Sequence, residues 1–374
     1  MTGLHPQGLT DELSIGADDL ADNRHAFSRY LMENLPPEGH PLAASAHHHF
    51  ANTGKLLRGM TALLSAQALG VSAPAALAWA LAVEFMHNAS LVHDDICDHD
   101  VVRRNRESVW KVFGIQQAIC FGDWLVAESF RHAAQADSLA KLDEQAQTGR
   151  VNAGADAASC VALLSGHMAA LSTGQAAEFI FDTYPDWAGY QDIVAQKTMP
   201  LMLAPVEGAI HLRGDVHDSL KSEGLQAIKG IFACLGLAYQ IANDVKNFLG
   251  TDGARRINGD LHRRAPNAVM VLFRDGLVNG SLHEFDDWLL AAGSETEARI
   301  ENSNTADDAD HDWPEKVMSV GIPQAVAQMN LCLANVDDYL PHIPARLADV
   351  LFPLTVYLSG FCEQVGSDAR QTGA

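Results

Sequence analysis

Residues 91–98 read LVHDDICD, so that an apolar stretch ends in three carboxylates, those of Asp94, Asp95 and Asp98. Apolar residues recur at three- and four-residue spacing over residues 75–96, and this spacing predicts a long helix. On a helix, Asp94 and Asp98 project from one face a turn apart, where like charges repel unless a cation lies between them. Mg2+ suits this position because it takes hard oxygen ligands and often bridges carboxylates to phosphates. The stretch therefore predicts a magnesium site at the end of a helix or, more simply, a solvated acidic helix end.

Helical spacing of apolar residues continues along most of the chain. It recurs over residues 42–69, 109–134, 157–181, 190–210 and 220–249. Strict alternation of β-branched residues, which would predict strands, is almost missing, and glycine and proline fall mostly between the helical segments. The sequence therefore predicts an all-α fold, built as a single bundle of long helices.

The chain is long for one domain at 374 residues, but an all-helical protein of this size can close around a single core. We expect a mobile N-terminal extension at residues 1–22, one domain at residues 23–362 and a C-terminal tail at residues 363–374. Two polar stretches, near residues 145–157 and 293–312, bury too little apolar surface to order themselves and are predicted to be loops.

The formal net charge of −22 limits what the protein can bind. It repels polyphosphate, so nucleic acid and anionic membrane surfaces are poor partners. No apolar stretch reaches about 18 uncharged residues, and the polar, acidic N-terminus is unlike a secretory signal. These features predict a cytoplasmic protein without stable membrane insertion. The six cysteines lie far apart without a Cys-x-x-Cys pair, which predicts reduced thiols in the core.

Residues 47–49 are three consecutive histidines, a composition that can indicate a transition-metal site. Neighbouring side chains on a helix point about 100° apart, so at most two of the three could share one ion. A solvated helix face is therefore the preferred interpretation of this run.

Paired arginines, Arg103 and Arg104, follow the carboxylates closely. Guanidinium groups bind diphosphate oxygens in a bidentate manner, so that carboxylates and arginines together can hold a metal ion and a diphosphate. In this order of residues the sequence resembles the trans-isoprenyl diphosphate synthases, whose first aspartate-rich motif reads Asp-Asp-x-x-Asp and is followed by Arg-Arg. The resemblance covers about residues 40–270 and includes residues 54–58, 84–93, 174–175, 197–198 and 239–241.

The resemblance implies a fold, a reaction and a cofactor. The fold is that of the isoprenoid synthases, in which long helices surround a central cavity. The reaction joins an allylic diphosphate to isopentenyl diphosphate after the allylic carbon–oxygen bond ionises. The cofactor is Mg2+, and its ligands in the first motif would be Asp94, Asp95 and Asp98.

The resemblance also implies which residues bind the two substrates. Isopentenyl diphosphate would be held by Lys55, Arg58, His87 and Arg104. The allylic diphosphate would be held by Arg103, Lys197 and Thr198. The catalytic residues would be Asp94, Asp98, Arg103 and Lys197.

The second aspartate-rich motif departs from the family pattern. Where the family again reads Asp-Asp-x-x-Asp, residues 243–247 read NDVKN. Asparagine still offers a carbonyl oxygen to a hard cation, so a second metal site of lower affinity is predicted at Asn243, Asp244 and Asn247. By the same resemblance, two more residues would contact substrate, Gln240 in the preceding run and Arg256 where the family carries a lysine.

Three functions are compatible with the altered motif. The first is a working synthase with a changed second metal site. The second is a class I terpene cyclase, or an enzyme that transfers a prenyl group to another acceptor, since Asn243 and Asn247 have the spacing that begins the Asn-x-x-x-Ser-x-x-x-Glu motif of cyclases. That match is weak because the next position is Thr251 and the glutamate is missing. The third is a non-catalytic partner subunit. A cyclase binds a single diphosphate and has no use for ligands of isopentenyl diphosphate, which favours the synthase.

Three residues before Asp94 bear on the length of the product. Ser90, Ala89 and Met86 stand four, five and eight positions earlier and share its helical face. In the family, a bulky aromatic residue four or five positions before the motif is associated with stopping at C15, and neither Ser90 nor Ala89 blocks the path. The flexible Met86 is the next stop, so the expected product is about C20. By family analogy we also expect a homodimer.

Overall fold

The computed structural model describes residues 17–148, 159–177, 183–251, 265–278, 280–293 and 313–372. Within these residues almost all regular structure is helical, and the one β-structure is a short ribbon. The predicted all-α fold is therefore confirmed.

Contacts group the described residues into two compact units, where the sequence predicts one bundle. Unit 1 contains described residues of the ranges 17–171, 200–232 and 337–356. Unit 2 contains described residues of the ranges 172–199, 233–336 and 357–372. The two aspartate segments fall in different units, so each is described within its own unit.

The first half of the chain forms most of unit 1. Its helices are α1 (Ala17–Glu33), α2 (Ala43–Phe50), α3 (Leu57–Ala68), α4 (Ala73–Cys97), α5 (Val109–Phe113) and α6 (Ile115–Thr148). Most residues of helix α4 are buried because the helix packs along α6 and against α3. A Cβ atom at Gly122 would lie 2.2 Å from Nε2 of His93, so only glycine lets α6 approach α4 this closely. The antiparallel ribbon of β1 (Val102–Arg103) and β2 (Arg106–Glu107) follows α4.

The remaining helices complete the two units. They are α7 (Cys160–Ala177), α8 (Trp187–Lys197), α9 (Met199–Leu212), α10 (Gly214–Leu249), α11 (Ala268–Asp275), α12 (Gly280–Gly293), α13 (Trp313–Lys316), α14 (Ile322–Tyr339) and α15 (Ala345–Thr372). A π-helical turn, Val317–Gly321, precedes α14, and a 3₁₀ turn, Leu340–His342, follows it. Helix α9 contains Pro205, whose carbonyl accepts a hydrogen bond of 2.9 Å from Nε1 of Trp79 on α4.

Three of the predicted helices are each broken into two. In the segment 109–134 the break between α5 and α6 falls at Gly114, whose φ angle is 87°. The segment 42–69 forms α2 and α3, because Gly54 and Leu56 between them have φ angles of 66° and 53°. These left-handed angles are incompatible with a continuous helix. The segment 190–210 forms α8 and α9, and the break falls at Thr198.

The ends of the chain are more helical than the sequence predicts. Helix α1 begins at Ala17, inside the expected N-terminal extension, and α15 continues to Thr372, through most of the expected tail. The predicted loop boundaries are wrong at their N-terminal ends, because residues 145–148 belong to α6 and Gly293 belongs to α12. The rest of both loops, residues 149–157 and 294–312, lies outside the described residues.

Among the described residues, four apolar helical segments have the length and composition of a membrane span. They are Ala73–Cys97, Ser222–Leu249, Trp313–His342 and Ala345–Gly366. In the first of them 83% of the most apolar window is buried inside the protein, so its apolar character is that of a core helix. No span of this kind was predicted from the uncharged apolar stretches of the sequence, and the lack of stable membrane insertion stays a prediction.

None of the six cysteines, all of which lie in the described residues, forms a disulfide. Cys160, Cys332 and Cys362 are buried, as predicted for core thiols, and Cys234 is half-buried. Cys97 and Cys120 are exposed, so the expectation of a core position is wrong for these two.

Candidate functional site

The first aspartate segment lies at the C-terminal end of α4. The backbone N–H of Asp98 donates a hydrogen bond of 2.8 Å to the carbonyl of Asp94, so the helical path continues through the segment. Asp94 and Asp98 consequently lie one turn apart on the same side of the helix, and both are half-buried. This is the arrangement that the sequence predicts for a pair of metal ligands.

The middle carboxylate, that of Asp95, differs because it is 1% exposed. Its Oδ1 accepts a hydrogen bond of 2.7 Å from Nε of Arg103 and a second from the Nη2 atom of the same side chain. Its Oδ2 is buried without a hydrogen-bond partner. Burial raises the pKa of Asp95 to about 6, although the Arg103 charge opposes this shift. Arg103, predicted to bind the allylic diphosphate, is thus anchored to the motif itself.

A tight turn between β1 and β2 places Arg104. The turn residues Arg104 and Asn105 have φ angles of 52° and 62°, as in the two-residue turns that match the twist of a hairpin. Nη1 of Arg104 donates to the carbonyl of Asn52 at 3.1 Å, and Nδ2 of Asn52 donates back to the carbonyl of Arg104 at 3.1 Å. A Cβ atom at Gly54 would lie 3.0 Å from Nε of Arg104. The segment that carries Lys55 is therefore packed directly against this guanidinium group.

Arg58 and His87, predicted to bind isopentenyl diphosphate, are in contact. Nη1 of Arg58 donates to Nε2 of His87 at 3.1 Å, which assigns the ring proton to Nδ1. Burial, followed by the charges of Arg58 and Arg104, holds the pKa of His87 well below its usual value. His87 is therefore a neutral imidazole that can donate one hydrogen bond from Nδ1.

A buried polar network that was not predicted from the sequence lies next to these cations. Glu84 is 1% exposed, and its two carboxylate oxygens accept hydrogen bonds from the Gly59 backbone N–H at 2.9 Å and from Nδ2 of Asn88 at 3.0 Å. Burial raises the pKa of Glu84, while the Gly59 hydrogen bond and the Arg58 charge oppose this. One signal was present in the sequence, because a lone carboxylate inside an apolar helix needs polar partners.

The histidine run contributes to the same network. Nε2 of His49 lies 2.9 Å from Oδ1 of Asn88, and burial lowers the pKa of His49 to about 3. Nε2 of His48 lies 2.7 Å from the carbonyl of Glu107. The predicted solvated face is therefore wrong for His49, which is buried, whereas His47 is exposed. None of these contacts indicates a shared metal ion.

Arginines line a cleft beside the first segment. The cleft has a volume of about 270 Å³, including the part open to solvent. Its charged and polar lining includes Arg103, Arg104, Arg106, His48, His49 and Asn52. Glu107 also lines the cleft, so three guanidinium groups and one carboxylate give its lining a net positive charge, in a chain whose net charge is strongly negative.

In unit 2, the second segment is joined by hydrogen bonds to the residues predicted to bind the allylic substrate. Lys197 ends α8, and Thr198 follows it. Oγ1 of Thr198 donates to Oε1 of Gln240 at 2.9 Å, and Nε2 of Gln240 donates to Oδ1 of Asp244 at 2.8 Å. The structure therefore brings Thr198, Gln240 and Asp244 into one chain of contacts.

Asp244 has a largely structural set of contacts. It is 4% exposed, and its Oδ2 accepts hydrogen bonds from the Tyr190 hydroxyl at 2.6 Å and from the Ala268 backbone N–H at 2.8 Å. Together with the bond from Gln240, three of about four acceptor positions on the carboxylate are used. Asp244 thereby joins α8, α10 and the start of α11.

The amides of the second segment lie on either side of this carboxylate. Asn243 is half-buried and Asn247 is 8% exposed. Between them, Nζ of Lys246 donates to the Tyr357 hydroxyl at 2.6 Å and lies 5.0 Å from the centre of the Phe361 ring. Lys246 stands at a variable position of the motif and adds a positive charge beside Asn243 and Asn247, which disfavours the binding of a second cation.

The residues predicted to set the product length are buried in α4. Met86 and Ala89 have no exposed surface, and Ser90 is 6% exposed. Gly174 packs so closely on α8 that a Cβ atom there would lie 2.9 Å from the Lys197 backbone nitrogen. Arg256 lies outside the described residues.

The donor set of the first segment fits a divalent cation. It consists of carboxylate oxygens, which hard cations such as Mg2+ and Ca2+ prefer. Asp94 and Asp98 share one helix face, and the buried Oδ2 of Asp95 lacks a hydrogen-bond partner. In the second segment the fit is poorer, because Asn243 and Asn247 offer neutral amide oxygens and most of Asp244 is already engaged.

Comparison with known proteins gives a matching family model and several relatives. The family model described as Polyprenyl synthetase matches residues 40–275. A geranylgeranyl pyrophosphate synthase of Geoglobus acetivorans is 44% identical over 108 residues, which are 29% of this chain and only 33% of that protein. A geranylfarnesyl diphosphate synthase of Aeropyrum pernix is 30% identical over 256 residues, which cover 66% of this chain and 74% of that protein.

Solved structures share the fold. A polyprenyl synthase from Caulobacter crescentus CB15, solved in complex with calcium and isoprenyl diphosphate, aligns with a TM-score of 0.69. The alignment covers 93% of this chain and 98% of that one at 21% sequence identity. At this identity the similarity establishes the fold alone.

Proposed function

Because this chain belongs to the polyprenyl synthetase family, we propose that it condenses an allylic diphosphate with isopentenyl diphosphate to give a longer trans-prenyl diphosphate. One observation carries the proposal. The carboxylates of Asp94 and Asp98 and the cations of Arg58 and Arg104 are gathered at the C-terminal half of α4 and its neighbours. Carboxylates for a metal ion and cations for a diphosphate are the two groups that this reaction requires.

Isopentenyl diphosphate is proposed to bind at the cationic cluster of unit 1. Arg58 and Arg104 supply charged donors, and the neutral His87 supplies a further N–H. Lys55 follows Gly54, which packs against Arg104. Glu84 accepts a hydrogen bond from the backbone N–H of Gly59, next to Arg58, and a second from Asn88. These bonds fix the backbone at Arg58 before substrate binds.

The allylic diphosphate is proposed to bind at Arg103, Lys197 and Thr198, with Gln240 and Arg256 as further contacts. Arg103 is oriented by Asp95, and Thr198 is oriented by Gln240. Fixed guanidinium and ammonium groups stabilise charge on a departing pyrophosphate because they need no rearrangement during the reaction.

Mg2+ is the proposed cofactor, with Asp94, Asp95 and Asp98 as its main ligands and the oxygens of Asn243, Asp244 and Asn247 as a second, weaker set. When bound, it would neutralise negative charge on the leaving pyrophosphate. The calcium and isoprenyl diphosphate in the Caulobacter crescentus structure support a divalent cation together with a diphosphate on this fold.

The proposed chemistry then follows from what each group can do. Arg103 and Lys197 stabilise the pyrophosphate as the allylic carbon–oxygen bond breaks and leaves an allylic cation. The double bond of isopentenyl diphosphate, held by Lys55, Arg58, His87 and Arg104, attacks that cation and forms the new carbon–carbon bond. The released pyrophosphate takes the proton that is lost, and an apolar cavity excludes the water that would quench the cation.

The alternative, a terpene cyclase or a transferase that uses another acceptor, is less well supported. A cyclase binds one diphosphate, so Arg58, His87 and Arg104 would have no role in it. Relatives of the chain are named as prenyl-chain-elongating synthases. The proposal has four further parts, all of which are based on the sequence. They are a product of about C20, a homodimer, a cytoplasmic location and the lack of membrane insertion.

A kinetic experiment distinguishes the two classes. We expect Lys55→Ala, Arg58→Ala and His87→Ala each to raise the KM for isopentenyl diphosphate about ten- to a hundredfold, because a charge-assisted hydrogen bond is worth roughly 1.5–3 kcal/mol. The KM for the allylic diphosphate should change much less. Arg131→Ala, which removes an exposed arginine outside the site, is the matched control. Variants that consume an allylic diphosphate alone as well as the parent does would support a cyclase instead.

A further inference from the structure

Three side chains in unit 1 that play no part in the proposed reaction converge from three helices. Asp137 lies on α6, Cys160 begins α7 and His211 lies in the last turn of α9. Their ligand atoms, a carboxylate oxygen, a thiol sulfur and an imidazole nitrogen, all lie within 4.8 Å of one another. This cluster could not be predicted from the sequence, because its first two members stand 23 positions apart and its last two stand 51 positions apart.

The contacts within the cluster hold its geometry. The backbone N–H of Cys160 donates to Oδ2 of Asp137 at 2.9 Å, and Nε2 of His211 lies 3.3 Å from Oδ1 of the same carboxylate. Cys160 has no exposed surface, whereas the side chains of Asp137 and His211 are 11% and 20% exposed. The sulfur is thus shielded, and an ion can enter past the imidazole.

We propose that Asp137, Cys160 and His211 form a binding site for Zn2+, with water as the fourth ligand. Zn2+ takes thiolate, imidazole and carboxylate ligands in tetrahedral sites, whereas Mg2+ avoids sulfur and nitrogen. On binding, the Cys160 thiol releases its proton to solvent and a sulfur–zinc bond forms. One thiolate and one carboxylate balance the two charges of the ion, so the filled site is electrically neutral.

The bound ion has a structural role in this proposal. It cross-links α6, α7 and α9 at a point distant in sequence from both aspartate segments. A capping interaction alone accounts for the contact of Asp137 with the first N–H groups of α7. It does not require a thiol at residue 160 or an imidazole at residue 211, and the metal site accounts for all three.

The experiment uses cobalt as a spectroscopic substitute for zinc. The full-length protein is stripped with a chelator and titrated with Co2+, and near-ultraviolet absorption is recorded. We expect one equivalent of Co2+ to produce a thiolate-to-cobalt charge-transfer band that one equivalent of Zn2+ removes. Co2+ bound at the oxygen ligands of the aspartate segments gives no such band, so the result is independent of condensation activity.

Variants decide which residues are responsible. Cys160→Ser should abolish the band, and His211→Gln should weaken Co2+ binding at least about a hundredfold, beyond what the loss of an outer-shell contact causes. Cys120→Ser, which removes an exposed thiol from α6, should leave the titration unchanged. Circular dichroism checks folding, and if Cys160→Ser does not fold, His211→Gln carries the test. The proposal is overturned if the parent shows no band. It is also overturned if folded Cys160→Ser shows an equal band or if His211→Gln binds Co2+ with unchanged affinity.

Discussion

The two aspartate segments differ in the burial and the hydrogen bonding of their carboxylates. In the first, Asp94 and Asp98 are half-buried at the end of α4, and Arg103 donates a hydrogen bond to Asp95, which stands between them in the sequence. In the second, Asp244 is buried and accepts three hydrogen bonds from residues of unit 2. A buried carboxylate that accepts hydrogen bonds from several protein donors stabilises the fold. Two carboxylates on one helix face repel each other, and a bound cation relieves this repulsion. The difference predicts that the first segment serves catalysis and that the second mainly serves stability.

The largest expected effect is on turnover in the first segment. Asp94→Ala or Asp98→Ala should lower kcat by at least roughly two orders of magnitude, because each removes a proposed ligand of the ion that would stabilise the leaving group. The melting temperature should stay unchanged, since both side chains are half-buried at a helix end. Asp338→Ala, an exposed aspartate on α14, is the control. Near-normal turnover in either variant would rule out the metal assignment.

The second segment should respond to mutation in the opposite way. Asp244→Asn replaces an acceptor by an amide N–H group that faces hydrogen-bond donors, so we expect the free energy of unfolding to fall by about 2–4 kcal/mol. Chemical denaturation of this variant beside Asp94→Asn measures the contrast. Equal stability of the two variants would show that Asp244 is not the structural carboxylate that its contacts indicate.

Restoring charge to the second segment should have a smaller effect. Asn243→Asp combined with Asn247→Asp should lower the Mg2+ concentration needed for half-maximal rate severalfold, because carboxylates bind a hard cation better than amides do. The measurement is a titration of the initial rate with Mg2+. An unchanged midpoint, or a loss of activity, would show that the amides serve another purpose than metal binding.

The smallest expected change concerns product length. Ala89→Phe places an aromatic ring five residues before Asp94, where a bulky side chain should shorten the path of the growing chain. Mass spectrometry should show a shift from C20 towards C15. If the product distribution does not change, another helix forms the floor of the cavity and Met86, Ala89 and Ser90 do not set the length.

Long helices were largely predictable from apolar spacing, and breaks between them were not. The segment 75–96 was predicted as a helix, and α4 spans Ala73–Cys97. The break between α2 and α3 depends on left-handed angles at Gly54 and Leu56, of which only the glycine gives a signal in the sequence. The ribbon of β1 and β2 has two residues in each strand, too few to show a period.

The candidate site was predictable where its residues are close in sequence. The shared face of Asp94 and Asp98 follows from helix geometry alone. The engagement of Asp244 could not be predicted, because its partners Tyr190 and Ala268 come from distant segments. Glu84 gave a usable signal as a charged residue inside an apolar helix, but identification of its partner, the Gly59 backbone, required the structure.

Product analysis tests the central claim most directly. The protein is incubated with Mg2+, isopentenyl diphosphate and dimethylallyl, geranyl or farnesyl diphosphate, and products are extracted with and without phosphatase treatment. Condensation of two diphosphates predicts chain-elongated alcohols that appear only after phosphatase treatment, because the product keeps its diphosphate. Hydrocarbons that appear without phosphatase, or a complete lack of elongated product with all three primers, would contradict the account.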